Sequence, residues 1–248
     1  MSTREWGVQM SRTNTVLDPP CWRAIESILM KSADIHPGGL VHGISLEYGS
    51  TNDDALVVGS VCEMFYAGCS VTDDIQDGDS DKYLGDYTLA EQINAQLQLL
   101  SLVSLRLDSI KKTSRSMSTV RRLYETLSIM LTGQRYELVR SPWNIEIYEK
   151  VARLSAGEQF ATYFELALIP TQYDHSMLKA LGITIGMLLQ VIADIETRDD
   201  RFLLFPKEER RMFVKKIVDE SILLSQNIPA SIKVQVEELV NRCGQSVT

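Results

Sequence analysis

The sequence has 248 residues, 44% hydrophobic and 23% charged, a balance that suits one large folded core and excludes a disordered or fibrous chain. Thirty-three acidic against 25 basic residues give a formal net charge of −8, and no dense Lys/Arg block is present. Nucleic acid and anionic membrane surfaces are thereby disfavoured as partners. Cys21, Cys62, Cys69 and Cys243 show no CxxC or CxxxH spacing, so a reduced, cytoplasmic protein is expected.

The polar residues from the N-terminus to Asp18 lack the charged-then-apolar pattern of a signal peptide and read as a flexible arm, 1–18, ahead of one helical domain, 19–248. Apolar residues then recur at three-to-four spacing, and no alternating β-branched run competes. The spacing predicts helices over 20–33, 38–48, 53–77, 88–112, 115–139, 144–169, 175–198, 206–226 and 229–242. Turn chemistry separates them at His36-Pro37-Gly38-Gly39, Gly49-Ser50-Thr51-Asn52, Gly78-Asp79-Ser80, Ser141-Pro142 and Leu204-Phe205-Pro206. The apolar stretch from Ala180 to Ala193 is broken by Gly182, Gly186 and Gln190 and reads as too short for a membrane span. Helices this long imply an all-α bundle, in which polar side chains turned inward mark the place to look for function.

The most informative segment is Val57–Asp77. Its apolar run, charged only at Glu63, ends in Asp73-Asp74-Ile75-Gln76-Asp77. Asp73 and Asp77 stand four residues apart, so their carboxylates project from one helix face a turn apart and can share a divalent cation. Hard oxygen donors suit Mg²⁺, which completes its shell with water and phosphate oxygens. Acids at a helix C-terminus also oppose the macrodipole by about 0.3–1 kcal/mol each, an arrangement that stability alone does not favour. A solvated acidic helix end is the bland alternative.

Glu63–Asp77, EMFYAGCSVTDDIQD, resembles the first aspartate-rich region of the trans-polyprenyl diphosphate synthase superfamily. Weaker matches follow in the same order: Gly38-Gly39-Leu40-Val41 at the family's Gly-Gly-Lys-Arg turn, Gly133-Gln134 at its Gly-Gln, Arg153-Leu154-Ser155-Ala156-Gly157 at its Arg-Leu-Lys-Thr-Gly, and Gln190 to Thr197 at its second aspartate-rich region. The resemblance spans about residues 36 to 200. It implies a single large helical bundle of the isoprenoid synthase type with a central cavity, Mg²⁺ as cofactor, an allylic prenyl diphosphate as substrate and a homodimer. Asp73, Asp77 and Asp194 are then the catalytic, metal-binding carboxylates. Lys82, Arg198, Gln190 and Gln134 are the diphosphate-binding residues, and Met64, Phe65, Gly68, Cys69, Phe160 and Phe164, with Tyr163 beside them, line the prenyl pocket.

Departures from the family pattern redirect the reading. Leu40 and Val41 replace the Lys and Arg that hold isopentenyl diphosphate, and Tyr83 replaces an arginine beside Lys82, so a second diphosphate lacks its counter-charges. The second region keeps only Asp194 of three aspartates. Glu196 points about 160° away from it on a continuing helix. Ser155 replaces a lysine, for which Lys150, Arg153, Arg198 and Arg201 are candidate substitutes. The pattern resembles divergent relatives such as the prenyltransferases that modify tryptophan in bacterial pheromone peptides: ionisation of an allylic diphosphate is kept, and the acceptor is a peptide or small molecule instead of isopentenyl diphosphate. In that reading Gly38–Gly43 opens as an acceptor groove, with His42 a candidate proton acceptor. The alternatives are a terpene synthase acting on geranyl, farnesyl or geranylgeranyl diphosphate, against which Ala193 and Arg201 replace that class's metal-binding Asn and Glu, and a non-catalytic subunit of a prenyl diphosphate synthase.

Overall fold

The computed structural model describes residues 19–31, 37–78, 85–107, 115–139, 143–171, 176–197, 200–226 and 228–246, and among these there is no strand. The helices are α1 (Pro19–Lys31), α2 (Pro37–Glu47), α3 (Asn52–Asp77), α4 (Leu89–Leu107), α5 (Arg115–Leu138), α6 (Ile145–Ala152), α7 (Glu158–Ala167), α8 (Ser176–Glu196), α9 (Asp200–Leu203), α10 (Lys207–Ser225) and α11 (Ala230–Ser246). A π-turn, Arg153–Gly157, joins α6 to α7. The predicted arm, 1–18, and the predicted helical residues 32–33 and 108–112 lie outside the described residues.

The described residues fall into two compact units. The first holds α1–α4, the first residues of α5 and the end of α7; the second holds the rest of α5, α6, the π-turn, most of α7 and α8–α11. In the first, α3 packs against α2 and α4, and α1 against both α3 and α4. In the second, α8 is the central helix, contacting the π-turn, α6, α9, α10 and α11.

Local chemistry explains the boundaries of α3. Thr51 accepts the Asp54 amide (3.2 Å) as N-cap while its hydroxyl donates to the Asp54 carboxylate (2.9 Å), and Asp53 and Asp54 complement the positive helix end. At the other end Gly78 adopts φ 83°, a left-handed conformation that costs glycine nothing, and its N–H returns to the Asp74 carbonyl. Thr88 and Glu91 form a reciprocal capping box at α4, and the Glu91 carboxylate, holding Thr88's hydroxyl and amide, stays below its ordinary pKa. Asn144 caps α6 through the Ile147 amide (2.8 Å).

From Ala55 to Val71, α3 is buried almost all round. Phe65 of α3, Ile44 of α2 and Leu99 of α4 are each buried with nearly no exposure, each stabilising the fold by about 1.5–3 kcal/mol through burial. By length and composition α3 and α8 could both cross a bilayer, but 72% and 67% of their apolar windows are buried inside the protein. The helix α8 is therefore longer than the apolar stretch from Ala180 to Ala193 suggests. Cys62, Cys69 and Cys243 are buried and form no disulfide; burial first, and the Glu63 charge second, push the Cys62 thiol well above its usual pKa.

Candidate functional site

In the first unit the last turn of α3 carries Asp73 and Asp77, both exposed, with Asp74 half-buried between them. The helix runs unbroken to Asp77, so the two carboxylates keep the one-turn separation expected from their spacing. Behind them Thr72 donates to the Gly68 carbonyl (3.0 Å) and accepts a short hydrogen bond from Gln96 of α4, which ties the acidic end of α3 to its neighbour. Among the described residues no three carboxylate, imidazole or thiol groups are gathered for a metal. The donor set of Asp73 and Asp77 still fits Mg²⁺, which takes one or two protein carboxylates and fills its remaining positions with water and phosphate oxygens. Lys82 and Asp79 lie outside the described residues.

Along the same helix Met64, Phe65 and Cys69 are buried. Gly68 is buried for a different reason from the one its sequence suggests. A Cβ there would meet the Leu100 side chain at 3.1 and 3.3 Å, so the small residue lets α3 and α4 approach, and Leu100 already fills that space.

The Gly38-Gly39 segment is the first turn of α2, entered through Pro37. Gly38 donates its amide to the buried Glu63 carboxylate (3.1 Å), and a Cβ would overlap Glu63 Cγ and the Gly59 carbonyl. Gly39 and Gly43 face open space instead. His42 cannot serve as a proton acceptor at the aspartate pair: its Nε2 lies 3.3 Å from Asn52 Oδ1 at the start of α3, and Asp73 is about 30 Å further along that helix at 1.5 Å per residue.

The second unit assembles a different group. Asp194 on α8 is 6% exposed, its Oδ1 accepting from Gln190 Nε2 (2.8 Å) and its Oδ2 accepting a short hydrogen bond from the Tyr148 hydroxyl of α6. Gln190, expected at the diphosphate, is thus a tether for Asp194. Tyr148 packs against Phe202 (4.9 Å), Phe213 (5.6 Å) and Phe205 (5.8 Å) between ring centroids. Nothing in the sequence singled Tyr148 out, because an aromatic residue on an apolar helix face reads as core.

Two glycines hold the π-turn. Gly133 of α5 faces Leu154 and the Ser155 amide, at 3.2 and 3.3 Å from a Cβ placed on it, and Gly186 of α8 lies against the backbone of Ala156 and Gly157. Gln134, next to Gly133, is buried. The sequence predicted one continuous helix over 144–169. The widened turn interrupts it, a feature that hydrophobic periodicity does not register.

The candidate cations divide. Arg201 is paired with Glu137 (3.0 Å), Lys150 donates to the Tyr136 hydroxyl (2.6 Å), and Arg153 is exposed on the π-turn. Arg198 lies outside the described residues. Glu196 is held by Arg242 (2.6 and 2.8 Å), turned away from Asp194 as helical geometry predicts. Phe160, Tyr163 and Phe164 are buried on α7, and Phe160 meets Tyr163 edge-on at 5.4 Å.

Compared by sequence, the chain matches no family model and no curated protein. Compared by structure, it is similar to a geranyltranstransferase from Thermotoga maritima, with 18% identity, a TM-score of 0.79, and 99% of this chain and 96% of the other covered. A farnesyl/geranylfarnesyl diphosphate synthase from Zymomonas mobilis gives 18% identity, a TM-score of 0.79 and 97% coverage of both chains. A geranylgeranyl pyrophosphate synthetase from Geoglobus acetivorans gives 13%, 0.82, and 98% and 96% coverage. Agreement over nearly the whole length at so low an identity establishes architecture: the chain has the all-α isoprenoid synthase fold, that of the trans-polyprenyl diphosphate synthases.

Proposed function

We propose that the chain is a Mg²⁺-dependent isoprenoid enzyme that ionises an allylic prenyl diphosphate and passes the prenyl group to an acceptor other than isopentenyl diphosphate. One observation carries this reading: two exposed carboxylates, Asp73 and Asp77, close a buried apolar helix one turn apart, in a fold shared with proteins described as geranyltranstransferase and prenyl diphosphate synthases.

Bound Mg²⁺ supplies Lewis-acid stabilisation of charge developing on the departing diphosphate. In the first unit Asp73 and Asp77 would hold and orient such an ion; in the second, Asp194 is the carboxylate to which motif order gives a metal-binding role. Lys82, Arg198 and Gln134 add donors to the phosphate oxygens in the roles their motif positions imply. Met64, Phe65 and Cys69 form an apolar wall that excludes water from the prenyl chain. Phe65, about 12 Å before Asp73 along α3, sets its depth. Phe160 and Phe164 offer ring faces to carbocation character.

The acceptor follows from charge. With Leu40 and Val41 at the Gly38-Gly39 turn, a second diphosphate would be buried without cations, at a cost of several kcal/mol. A neutral peptide or aromatic acceptor avoids that cost. The test is incubation with geranyl, farnesyl and geranylgeranyl diphosphates and Mg²⁺, following diphosphate release and products by mass spectrometry. Release that depends on an added tryptophan peptide or aromatic acceptor is the expected result. An elongated diphosphate formed with isopentenyl diphosphate overturns the acceptor assignment. Hydrocarbon or alcohol products formed without acceptor indicate a terpene synthase, and silence with no Mg²⁺-dependent ligand binding indicates a non-catalytic subunit.

A homodimer is part of the proposal. Leu89, Ile93, Leu97 and Leu105 of α4 are exposed, Leu97 and Leu105 at 57% each, an apolar row that a second copy would cover. Leu97→Glu is expected to convert the dimer to monomer at micromolar concentration by light scattering, since it replaces a buried side chain worth about 1.5–3 kcal/mol per protomer with a charge. An unchanged mass for the variant would place the interface elsewhere.

A further inference from the structure

We propose that Gln159 is a specificity residue for the acceptor, its side-chain amide donating a hydrogen bond to a neutral carbonyl oxygen of that substrate. The inference deepens the proposed transfer to an acceptor other than isopentenyl diphosphate and rests on that reading.

Gln159 is the second residue of α7 and is only 5% exposed, yet its Nε2 is buried with no hydrogen-bond partner among the described residues. Burying an amide donor in this way forfeits its hydrogen bonds to water and returns nothing. A sequence selected for stability alone would place Leu or Met here. Polar groups on the α5 side of the same helix are matched. Thr162 donates to the Glu158 carbonyl (2.9 Å) and shares a second hydrogen bond with Thr126 of α5 (2.6 Å). Arg122 of α5 holds both Glu158 (3.2 Å) and Glu165 (3.0 Å), and Lys179 of α8 reaches Glu165 (3.6 Å).

Helical geometry separates Gln159 from these pairs. Glu158, Thr162 and Glu165 make the face of α7 turned to α5, whereas Phe160 and Ala161 meet α8, where a Cβ on Gly182 would come within 2.7 Å of their backbone. Gln159 and Tyr163, four residues apart, share a third face, and Tyr163 has no exposure either. The Tyr163 ring meets that of Phe160 edge-on, so the amide belongs to the turn of α7 that carries the aromatic group proposed to face carbocation character.

The chemistry of the reactants selects what the donor meets. A prenyl chain is hydrocarbon and accepts no hydrogen bond. A diphosphate calls for cations and metal ions, and one neutral amide cannot offset its charge. The acceptor is the remaining reactant, and a neutral carbonyl oxygen satisfies a neutral donor without burying charge. A site with such a donor disfavours analogues that lack the oxygen, because the donor is then left unpaired.

The test is Gln159→Met, which keeps an unbranched chain of similar length and removes the amide. With farnesyl diphosphate and Mg²⁺, kcat/KM is measured for N-acetyltryptophanamide, which carries carbonyl groups, and for 3-methylindole, which has the same ring without them. The ratio of the first to the second is expected to fall about tenfold, the loss of one buried hydrogen bond, while the urea midpoint stays at or above that of the parent protein. An unchanged ratio, with both acceptors affected equally or not at all, overturns the specificity role and leaves the proposed function intact. A lowered midpoint overturns it as well, since the amide would then be bonded within the fold. A parent protein that transfers to neither acceptor removes the acceptor class on which the inference stands, and the inference with it.

Discussion

Replacing Asp73 with asparagine is expected to slow diphosphate release by roughly 10²–10³-fold, the loss that follows removal of one group stabilising transition-state charge, while leaving the urea midpoint at or slightly above that of the parent protein. The two halves of this expectation come from separate physics. Asp73 lies on the exposed side of α3's last turn and fills no core space, so the change creates no cavity. Its charge sits where the carbonyl ends of the helix dipole are concentrated, and removing it relieves about 0.3–1 kcal/mol of unfavourable interaction. An asparagine keeps the size and one oxygen of the aspartate but not the anionic charge that a hard divalent ion requires. Asp77→Asn is expected to behave likewise, because the pair acts across one turn of the same helix. Paired measurement of turnover and of stability by circular dichroism decides between readings. A fall in stability with no specific loss of turnover would make the acidic end a structural cap.

How much of this could be read from the chain depends on whether the controlling interactions are local. Thr51, the acids after it and Gly78 bound α3 within a few residues of its ends, and hydrophobic spacing supplies the rest, so its limits are legible to a residue. The Asp73–Asp77 separation and the opposite direction of Glu196 are legible for the same reason: both follow from 3.6 residues per turn. The partners of Asp194 are not. Tyr148 is 46 residues away and meets it only because α6 and α8 are neighbours in the fold. Arg201 reads as a cation available for phosphate, but Glu137, on α5, has claimed it. Gly68 reads as room for a prenyl chain, and Leu100 from α4 occupies the room. His42 reads as near the site by motif order, whereas the length of α3 carries the aspartates to the far end of the helix from it. Residue types and intrahelical geometry are local properties; which polar group another element has already engaged is not.

Gly186 shows the same distinction in a form that can be measured. It lies inside α8, where helix propensity alone predicts that Gly186→Ala stabilises by about 1 kcal/mol. Packing predicts the opposite, since a Cβ would fall well inside contact distance of the Ala156 carbonyl and reach Gly157 Cα at 2.9 Å. Both obstacles are backbone atoms of the π-turn, which cannot swing aside as a side-chain tip can. Overpacking typically costs about 1–3 kcal/mol, and a rigid backbone obstacle belongs at or beyond the top of that range. The steric effect should win, giving a net loss of about 2–3 kcal/mol and a lower urea midpoint. Gly43→Ala, inside α2 with nothing within 4 Å of the new methyl, isolates the propensity effect and should raise the midpoint instead. If Gly186→Ala proved as stable as its parent, the π-turn would have to slide along α8 at little cost, and the fixed register of α6 on α8 that holds Tyr148 against Asp194 would be lost with it.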